Sequence, residues 1–541
     1  MSDRLWMLLL ITSAFAVPVS GQVPRPEMWP YPHPVYSWLE RAYGRGLLLE
    51  RGWDGIPASR AVLLDRLLRV DTTRLDAEDR TRWWSWVREL EDRPDQEAFL
   101  LPRSRGQQGH LYAYRDPETR LFVDPSVGGE LMSVRETEGF FGPVSRLGGR
   151  LYGSVLGRVG FFLDARAIGY RPPDLGRFDP IWSRTQNVRI REEGSYDVQA
   201  FMSYLSGPLM LDMGRGRILY GIEPASSLIW SENPPYVPYL RFSLRYRRTN
   251  FQFLHAALQD SVFETPLPDR PQQTGTWRRP RWLALHRVQF EPRAGWTVAF
   301  TEMVVYGNRG MELTYWIPIY PFLISEDEFG FLDNILWTLE ARVRIRPGWI
   351  LHGSWLIDNL TFSGLFTDTL DNKHGLQAGI HWYGPRGWEA GLSYTYIDPF
   401  VYSHPRPYNA YIEREWTIGH PLGPNADSWL LRLRRWVGAR SWIEAELEAV
   451  RKGLNVLDAS GNLVRNVGGD ARLGGSVGPM TGNKRFLTGS DRHRWVRGAL
   501  MLRWEPWRAF VFWVRFELRR VLEGARIPDQ RIWRLGLEWG R

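Results

Sequence analysis

Three stretches of the sequence are rich in aromatic rings, and two of them, 306–334 and 398–427, also contain arginines, a combination that can hold acidic sugars. The third stretch is residues 220–238. Rings stack on sugar faces, while the planar guanidinium of arginine binds carboxylate, sulfate or phosphate through paired hydrogen bonds. The candidate polysaccharide-binding residues are Arg309, Tyr315, Trp316, Tyr402, Arg406, Tyr408 and Trp416. The alternative is that these stretches fold inward and only plug the protein.

Patterns that would indicate an enzyme or a metal site are weak. The stretch GGSVG at 474–478 matches the G-x-S-x-G nucleophile pattern, but it lies in a glycine-rich loop and not at a strand-to-helix turn. The ten histidines include no H-E-x-x-H pair, and His404 and His420 fall in a long loop where exposed polar residues are the expectation. The sequence therefore predicts no catalysis, no cofactor and no metal.

The charge indicates an anionic partner. The chain of 541 residues has a net charge of +9, and only Lys373, Lys452 and Lys484 are lysines, which leaves 66 arginines. An acidic polysaccharide or the phosphates of lipopolysaccharide would suit such a chain. The strand and export patterns described below predict an exported barrel. Such a protein would not meet nucleic acid.

Alternating residues predict strands with one apolar and one charged face. In FVFWVRFELRR the apolar positions are Phe510, Phe512, Val514, Phe516 and Leu518, with Arg515, Glu517 and Arg519 between the later ones. A hairpin joined by 438–440 would bring arginines 432 and 434 against glutamates 444, 446 and 448. Repeated strands of about ten residues with an aromatic-rich apolar face predict a transmembrane barrel whose charged side faces a wet lumen.

The connections support a closed antiparallel barrel over residues 101–541. We count 18 strands, an even number, with tight turns such as 346–348 and 438–440 alternating with long loops at 171–194, 261–280, 306–334, 398–427 and 452–491. Outer-membrane barrels place short turns in the periplasm and long loops outside. Lipid leaves no water to satisfy backbone groups, so such a sheet must close.

Two N-terminal segments precede the barrel. Residues 1–21 have the charged start, apolar run and small-residue end of an export signal. Residues 22–100 contain helical periodicity after Pro34 and Pro57 and again after Asp76, a predicted N-cap that precedes a face with Trp83, Trp86, Val87 and Leu90. These patterns predict a small helical bundle on the periplasmic side. No cysteine is present, so disulfides are excluded.

Several stretches in the same order resemble the Wzi-type capsule-assembly outer-membrane proteins. They are residues 214–243, 281–292, 301–318, 332–340 and 394–428, and they span most of the barrel. The sequence departs from that pattern at 220–224, where YGIEP stands in place of a run like Trp-Gly-Pro-Gly, and at its end, which is Trp-Gly-Arg. The resemblance implies an 18-stranded barrel in the outer membrane of a diderm bacterium, a helical periplasmic bundle and attachment of capsular polysaccharide.

Two further expectations concern partners. Residues 35–68 are similar to one S-layer homology unit, which would bind a cell-wall polymer, although a plain packed helical plug is the other interpretation. The rival function is a porin tethered to the cell wall by its bundle, because a polar lumen serves either purpose. We expect a monomer that contacts outer-membrane lipid or lipopolysaccharide.

Overall fold

The computed structural model describes residues 25–91, 97–99, 108–178, 194–260, 263–267, 270–277, 279–328, 330, 333–358, 373–475 and 485–540. Predicted features at 1–21, around residue 100 and at 476–478 lie outside these ranges. Eighteen antiparallel strands form a closed barrel, which confirms the predicted fold and strand count. They are β1 Arg120–Arg135, β2 Gly139–Val155, β3 Val159–Tyr170, β4 Gly194–Ser206, β5 Leu209–Gly216, β6 Val237–Tyr246, β7 Thr249–Leu258, β8 Arg281–Phe290, β9 Trp296–Gly307, β10 Asn334–Arg346, β11 Trp349–Asp358, β12 Lys373–Tyr383, β13 Trp388–Ile397, β14 Ala426–Trp436, β15 Trp442–Leu454, β16 Asp491–Trp507, β17 Phe510–Glu523 and β18 Gln530–Trp539.

The barrel closes through pairing of β18 with β1, in which Trp539 lies opposite Val127. A short strand, Tyr112–Arg115, extends β1 beyond this seam. Short two-stranded sheets also occur that are not part of the barrel wall. They pair Met28–Trp29 with Ala58–Ser59, Glu97–Phe99 with Gln108–His110, Phe263–Leu267 with Arg270–Trp277, Ile412–Glu413 with Trp416–Thr417 and Val456–Leu457 with Leu463–Arg465.

The two faces of the wall follow the predicted alternation. Phe516 and Leu518 of β17 are exposed on the outer face. Glu517 pairs with Arg515 at 2.8 Å and lies 3.6 Å from Arg497 on the luminal face. In the hairpin of β14 and β15, Arg432 Nε donates to Glu446 Oε1 at 3.0 Å, so the predicted cross-strand charge pairing is confirmed. Charges on the luminal side therefore satisfy one another, while the apolar side is left for lipid.

Connection lengths separate the two ends of the barrel. The turn end carries short connections, such as 207–208, 247–248 and 347–348, and the loop end carries the long ones, including 217–236, 308–333 and 398–425. Two loop-end connections are short: 136–138, between β1 and β2, and 524–529, between β17 and β18. The loops beside the seam are therefore short.

The predicted N-terminal helices are α1 Pro34–Gly44, α2 Arg60–Leu68 and α3 Ala77–Glu91. The side chains of His33 and Ser59 cap α1 and α2, and Asp76 Oδ1 accepts from the Asp79 backbone N–H at 2.8 Å, as predicted for the start of α3. A further helix within the described residues, α4 Phe322–Glu328, lies in a loop. None of the helices in the described ranges is long and apolar enough to cross a membrane.

The helices lie at the turn end and bind its backbone. Arg41 donates to the Gly384 carbonyl at 2.7 Å, and Arg82 donates to the Gly438 carbonyl at 2.8 Å. In return, Arg440 of the 437–441 turn donates to Ser85 Oγ at 2.8 Å. Buried residues of the helices and of the luminal wall belong to one hydrophobic cluster, so the bundle is packed into the barrel opening.

Candidate functional site

The segment between α1 and α2 reaches into the lumen and is held there by buried charges. Asp54 lies within 2.8 Å of Arg287 Nε on β8, and Arg287 Nη1 is 2.7 Å from Glu340 Oε2 on β10. The Asp54 carbonyl also accepts from the Gln252 amide of β7 at 2.8 Å. The guanidinium thus has partners on both sides, the geometry that a buried ion pair needs to offset desolvation.

Inside the barrel this segment meets a loop that enters from the opposite end. Ile56 and Leu219 form an antiparallel bridge, with both backbone N–H···O distances at 2.9 Å. Tyr220, the next residue, pairs with Trp230 within the same loop. Burial raises the pKa of the Tyr220 phenol to about 12, so this ring is neutral. Backbone from the turn end is therefore hydrogen-bonded to backbone from the loop end.

The 217–236 loop is in turn bonded to the 398–425 loop. Tyr402 Oη donates to the Leu228 carbonyl at 2.9 Å, Tyr411 Oη donates to the Ile229 carbonyl at 3.0 Å, and the Ser231 N–H donates to the Ile418 carbonyl at 2.9 Å. We call residues 53–57, 217–231 and 398–425 the luminal column. Its hydrogen bonds run from the turn end to the loop end of the barrel.

Two of the three lysines fix this column to the wall. Lys373 Nζ, at the start of β12, pairs with Asp358 at 2.7 Å and donates to the Ser403 carbonyl at 3.3 Å. Lys452 of β15 donates to the Leu422 carbonyl at 2.7 Å and also binds the Pro424 carbonyl. The ammonium group offers several donors around one point, which suits clustered loop carbonyls better than a flat guanidinium.

The predicted residues of the 398–425 loop occupy different environments. Tyr402 is buried in the column, where its ring stacks on Tyr411 with centroids 5.7 Å apart. Arg406, Tyr408 and Trp416 are half-buried at the loop end, and the Arg279 guanidinium lies 5.7 Å from the Tyr408 ring. A ligand arriving from outside could therefore reach the last three residues but not Tyr402.

The expectation that His404 and His420 are exposed is wrong. Both side chains are buried in the column. Burial lowers the pKa of His404 to about 4 and that of His420 to about 3, so both imidazoles are neutral at physiological pH. Their ring nitrogens hydrogen-bond local backbone, since His420 Nδ1 accepts from the Leu422 N–H at 3.2 Å. Sequence placed them in a loop correctly but could not show that the loop folds inward.

The 308–333 loop takes the opposite course and covers the outer face of the wall. Arg287 and Glu340 point into the lumen. His286, one position from Arg287, and Trp337, three positions from Glu340, therefore point outward, because side chains alternate along a strand. Phe322 of α4 stacks on His286 with ring centroids 3.9 Å apart. Its backbone N–H donates at 3.1 Å to Glu302, which also accepts from Trp337 Nε1 at 3.2 Å. The loop therefore covers polar side chains of the outer wall.

The predicted residues of this loop share its outward course. Trp316 is half-buried and stacks on outward-facing His255, with centroids 4.4 Å apart. Tyr315 is buried, and its hydroxyl donates to Asp333 at 2.6 Å. Arg309 pairs with Asp333 and with Glu312. Asn409 of the other loop lies 3.5 Å from the same Asp333 carboxylate. The two loops that carry the predicted residues thus meet at Asp333.

Cavities lie at the turn end and in the lumen. One, of about 290 Å³, lies at the turn end between Arg45, Arg74 and the turns 347–348 and 384–385. The other holds only about 20 Å³ and lies in the lumen beside Arg287, Glu340 and Arg342. Sequence reasoning also missed a luminal cluster of Glu223, His352 and His381, because these residues come from a loop and two strands with no short spacing between them.

No protein-family model matches this chain, and no curated protein sequence does. Among solved structures, the chain is similar to Wzi of Escherichia coli, described as an outer-membrane protein involved in group 1 capsule assembly and a carbohydrate-binding β-barrel. That match has a TM-score of 0.57 and 11% identity, and it covers 95% of this chain and 99% of the other. The chain has the fold of outer-membrane barrels.

Weaker structural similarity extends to two further solved structures. OccAB2 of Acinetobacter baumannii matches with a TM-score of 0.44 and 9% identity, covering 77% of this chain and 97% of its own. OccD3 of Pseudomonas aeruginosa matches with a TM-score of 0.43 and 11% identity, covering 77% of this chain and 90% of its own. The resemblance of residues 35–68 to an S-layer homology unit finds no support in these comparisons and stays a prediction.

Proposed function

We propose that this chain is a non-conducting, non-catalytic outer-membrane barrel that holds acidic capsular or exopolysaccharide at its outer mouth. The observation that carries the proposal is the luminal column, in which the Ile56–Leu219 bridge joins backbone from the two ends of the barrel. A porin of this strand number leaves an aqueous channel, whereas here buried hydrogen bonds and ion pairs occupy the lumen. Attachment at the surface needs no open channel, while diffusion of solutes does.

The polymer would bind at the loop end around Arg406, Tyr408 and Trp416. These side chains are half-buried, so each has surface to offer, and Arg279 lies beside Tyr408. Rings of this kind cover the apolar face of a sugar, and guanidinium groups take its carboxylate or phosphate. Arg309, Tyr315 and Tyr402, which the sequence also suggests as binding residues, would instead support the loops, because each already bonds a buried partner.

The outward 308–333 loop would contact the outer leaflet. Leu313 and Ile319 are 81% and 85% exposed, and Ile317, Leu323 and Ile324 are exposed beside them. Apolar side chains on the outer face of a barrel are suited to lipid, and the nearby arginines to phosphates of lipopolysaccharide. In this orientation the turn end and its helical bundle face the periplasm, where the bundle would be placed to meet the cell wall.

Polymer retention by intact cells tests the attachment proposal. Replacing Arg406 and Trp416 together by alanine should release polysaccharide into the medium, because each charge-assisted contact contributes about 1.5 to 3 kcal/mol. Cell-associated and shed polysaccharide would be measured in mutant and parent, with heat-modifiable gel mobility to verify barrel folding.

The matched control replaces Arg88 and Trp84 by alanine. These two residues are an exposed arginine and tryptophan of α3 at the opposite end, with the guanidinium 5.8 Å from the ring. Retention should be unchanged in this control. An unchanged ratio in the folded Arg406 and Trp416 variant, or equal release from the control, would contradict polymer binding at the outer mouth.

A further inference from the structure

A carboxylate and two imidazoles converge inside the lumen, where the 217–236 loop touches the wall. Glu223 Oε1 lies 2.5 Å from His381 Nε2 on β12 and 3.3 Å from His352 Nε2 on β11. The potential ligand atoms of the three residues all lie within 4.8 Å of one another. Around a tetrahedral ion with bond lengths of about 2.0 to 2.2 Å, ligand atoms stand about 3.3 to 3.6 Å apart, so Glu223 Oε1 and His381 Nε2 would move apart by about 1 Å to admit the ion.

An ion pair with Glu223 does not satisfy the hydrogen-bonding groups of the His352 ring. The His352 side chain is 2% exposed, and Nδ1 has no hydrogen-bond partner among the described residues. The 3.3 Å approach of Nε2 to Glu223 Oε1 does not have the geometry of a hydrogen bond. A buried polar group without a partner is unfavourable, because the hydrogen bonds it made to water are lost and not replaced. A metal ion between His352, His381 and Glu223 would satisfy the Nε2 atoms and the carboxylate at once.

Glycines on the neighbouring strands make room for both imidazoles. Gly379 lies opposite His352 in the register of β11 and β12, and a Cβ there would stand 2.5 Å from His352 Nε2. Gly391 lies opposite His381, and its Cβ would be 3.2 Å from His381 Nε2. Any side chain at Gly379 would displace the His352 ring. The wall is therefore shaped to direct both Nε2 atoms at Glu223.

The surrounding groups define how each ligand would bind. Tyr383 Oη lies 3.5 Å from His381 Nδ1 and can fix the orientation of that ring, as outer-shell partners of metal ligands do. Arg432 approaches Glu223 Oε2 at 3.7 Å, which leaves Oε1 for the metal. Arg432 itself is held by Glu446 at 3.0 Å. The carboxylate would thus be monodentate, and a fourth position would remain for water.

We propose that Glu223, His352 and His381 form a binding site for a divalent transition-metal ion of the Zn²⁺ class. Two imidazoles and one carboxylate are ligands of intermediate softness, which suit Zn²⁺ and exclude Ca²⁺ and Mg²⁺ as preferred ions. The ion would join the 217–236 loop to β11 and β12 and so fix the luminal column to the wall. Glu223 belongs to the YGIEP run in which the sequence departs from the resemblance noted above.

Metal binding by the folded, full-length protein tests this site. Protein extracted from membranes in detergent would be stripped with a chelator, incubated with Zn²⁺, desalted and analysed for zinc by mass spectrometry. The parent should retain about one ion per chain, and Co²⁺ in its place should show the visible absorption of a low-coordinate nitrogen and oxygen site. The variants are Glu223→Gln, His352→Gln and His381→Gln, each checked by heat-modifiable mobility.

Each variant should weaken binding at least as much as the roughly 10 to 100-fold loss that changes in outer-shell partners cause. The control is His374→Gln, an imidazole of the same strand as His381 that lies on the opposite face and contacts Trp355. It should leave zinc content and the Co²⁺ spectrum unchanged. A parent that binds no zinc after stripping, or a folded His352→Gln variant that binds as tightly as the parent, would overturn the proposal.

Discussion

Two loops of similar composition lie on opposite sides of the same wall. The 398–425 loop folds into the lumen, where Tyr402 and Tyr411 donate to backbone carbonyls of another loop. The 308–333 loop folds over the outer face, where Phe322 and Trp316 stack on His286 and His255. Aromatic rings and arginines alone therefore do not tell which side of a barrel a loop will cover.

The difference lies in what each loop leaves exposed. The inward loop has buried polar groups that find hydrogen-bond partners in the column. The outward loop contains the apolar run IPIYPFLI at 317–324, in which Ile319 is 85% exposed. Buried polar groups need partners, which a packed lumen supplies, whereas exposed apolar side chains are stable against lipid. This run is the sequence signal that could have distinguished the two loops.

Removing a ring of the inward loop should have the largest effect. Tyr402→Ala deletes a fully buried side chain and leaves the Leu228 carbonyl without its donor. We expect a loss of about 3 to 5 kcal/mol in the free energy of unfolding. The half-buried Tyr408→Ala should cost less than about 1 kcal/mol. Urea unfolding from lipid vesicles measures both, and equal losses would show that the column does not contribute to stability.

A charge on the outer face measures how deep the outward loop lies. Leu431 is exposed at the middle of β14, so Leu431→Arg should cost about 2 to 4 kcal/mol. Leu323→Arg on α4 should cost only about 0 to 1 kcal/mol, because we place this loop among the lipid headgroups. The same refolding assay applies, with luminal Glu517→Arg as a milder comparison. If Leu323→Arg were as costly as Leu431→Arg, α4 would lie in the hydrocarbon core and not near the headgroups.

The smallest expected effect is a pH dependence in the outward loop. Burial, together with the charge of Asp333, raises the pKa of Glu326 on α4 from 4.5 to about 7. The folded form therefore binds the proton more tightly than the unfolded form, and this stabilisation is complete below the unfolded pKa and disappears as pH rises towards about 7.

Docking of α4 should consequently be weaker at about pH 8 than at about pH 5, by on the order of 1 kcal/mol after screening. Protease cleavage of the 308–333 loop in vesicles at both pH values reports docking. Glu326→Gln should remove the difference, and an identical pH dependence in that variant would assign the effect to another group.

The strands of the barrel wall could be predicted from the sequence, but the contacts inside the lumen could not. Alternation at Phe516 and Glu517 and the Arg432–Glu446 pairing depend on period-two patterns and on adjacent strands, which are local information. The Ile56–Leu219 bridge and the Glu223–His381 contact join residues more than a hundred positions apart in the chain. Long-range contacts of this kind have no periodicity, so only the folded structure reveals the luminal column and the candidate metal site.

Single-channel conductance of the purified parent protein in planar bilayers tests the central claim, that the luminal column closes the barrel. A general porin inserted under the same conditions supplies the open reference. The parent should insert without steady current, because the bridge between Ile56 and Leu219 and the Asp54–Arg287–Glu340 ion pairs occupy the lumen. A large, steady conductance comparable to that of the porin would contradict the closed barrel and favour a transport channel.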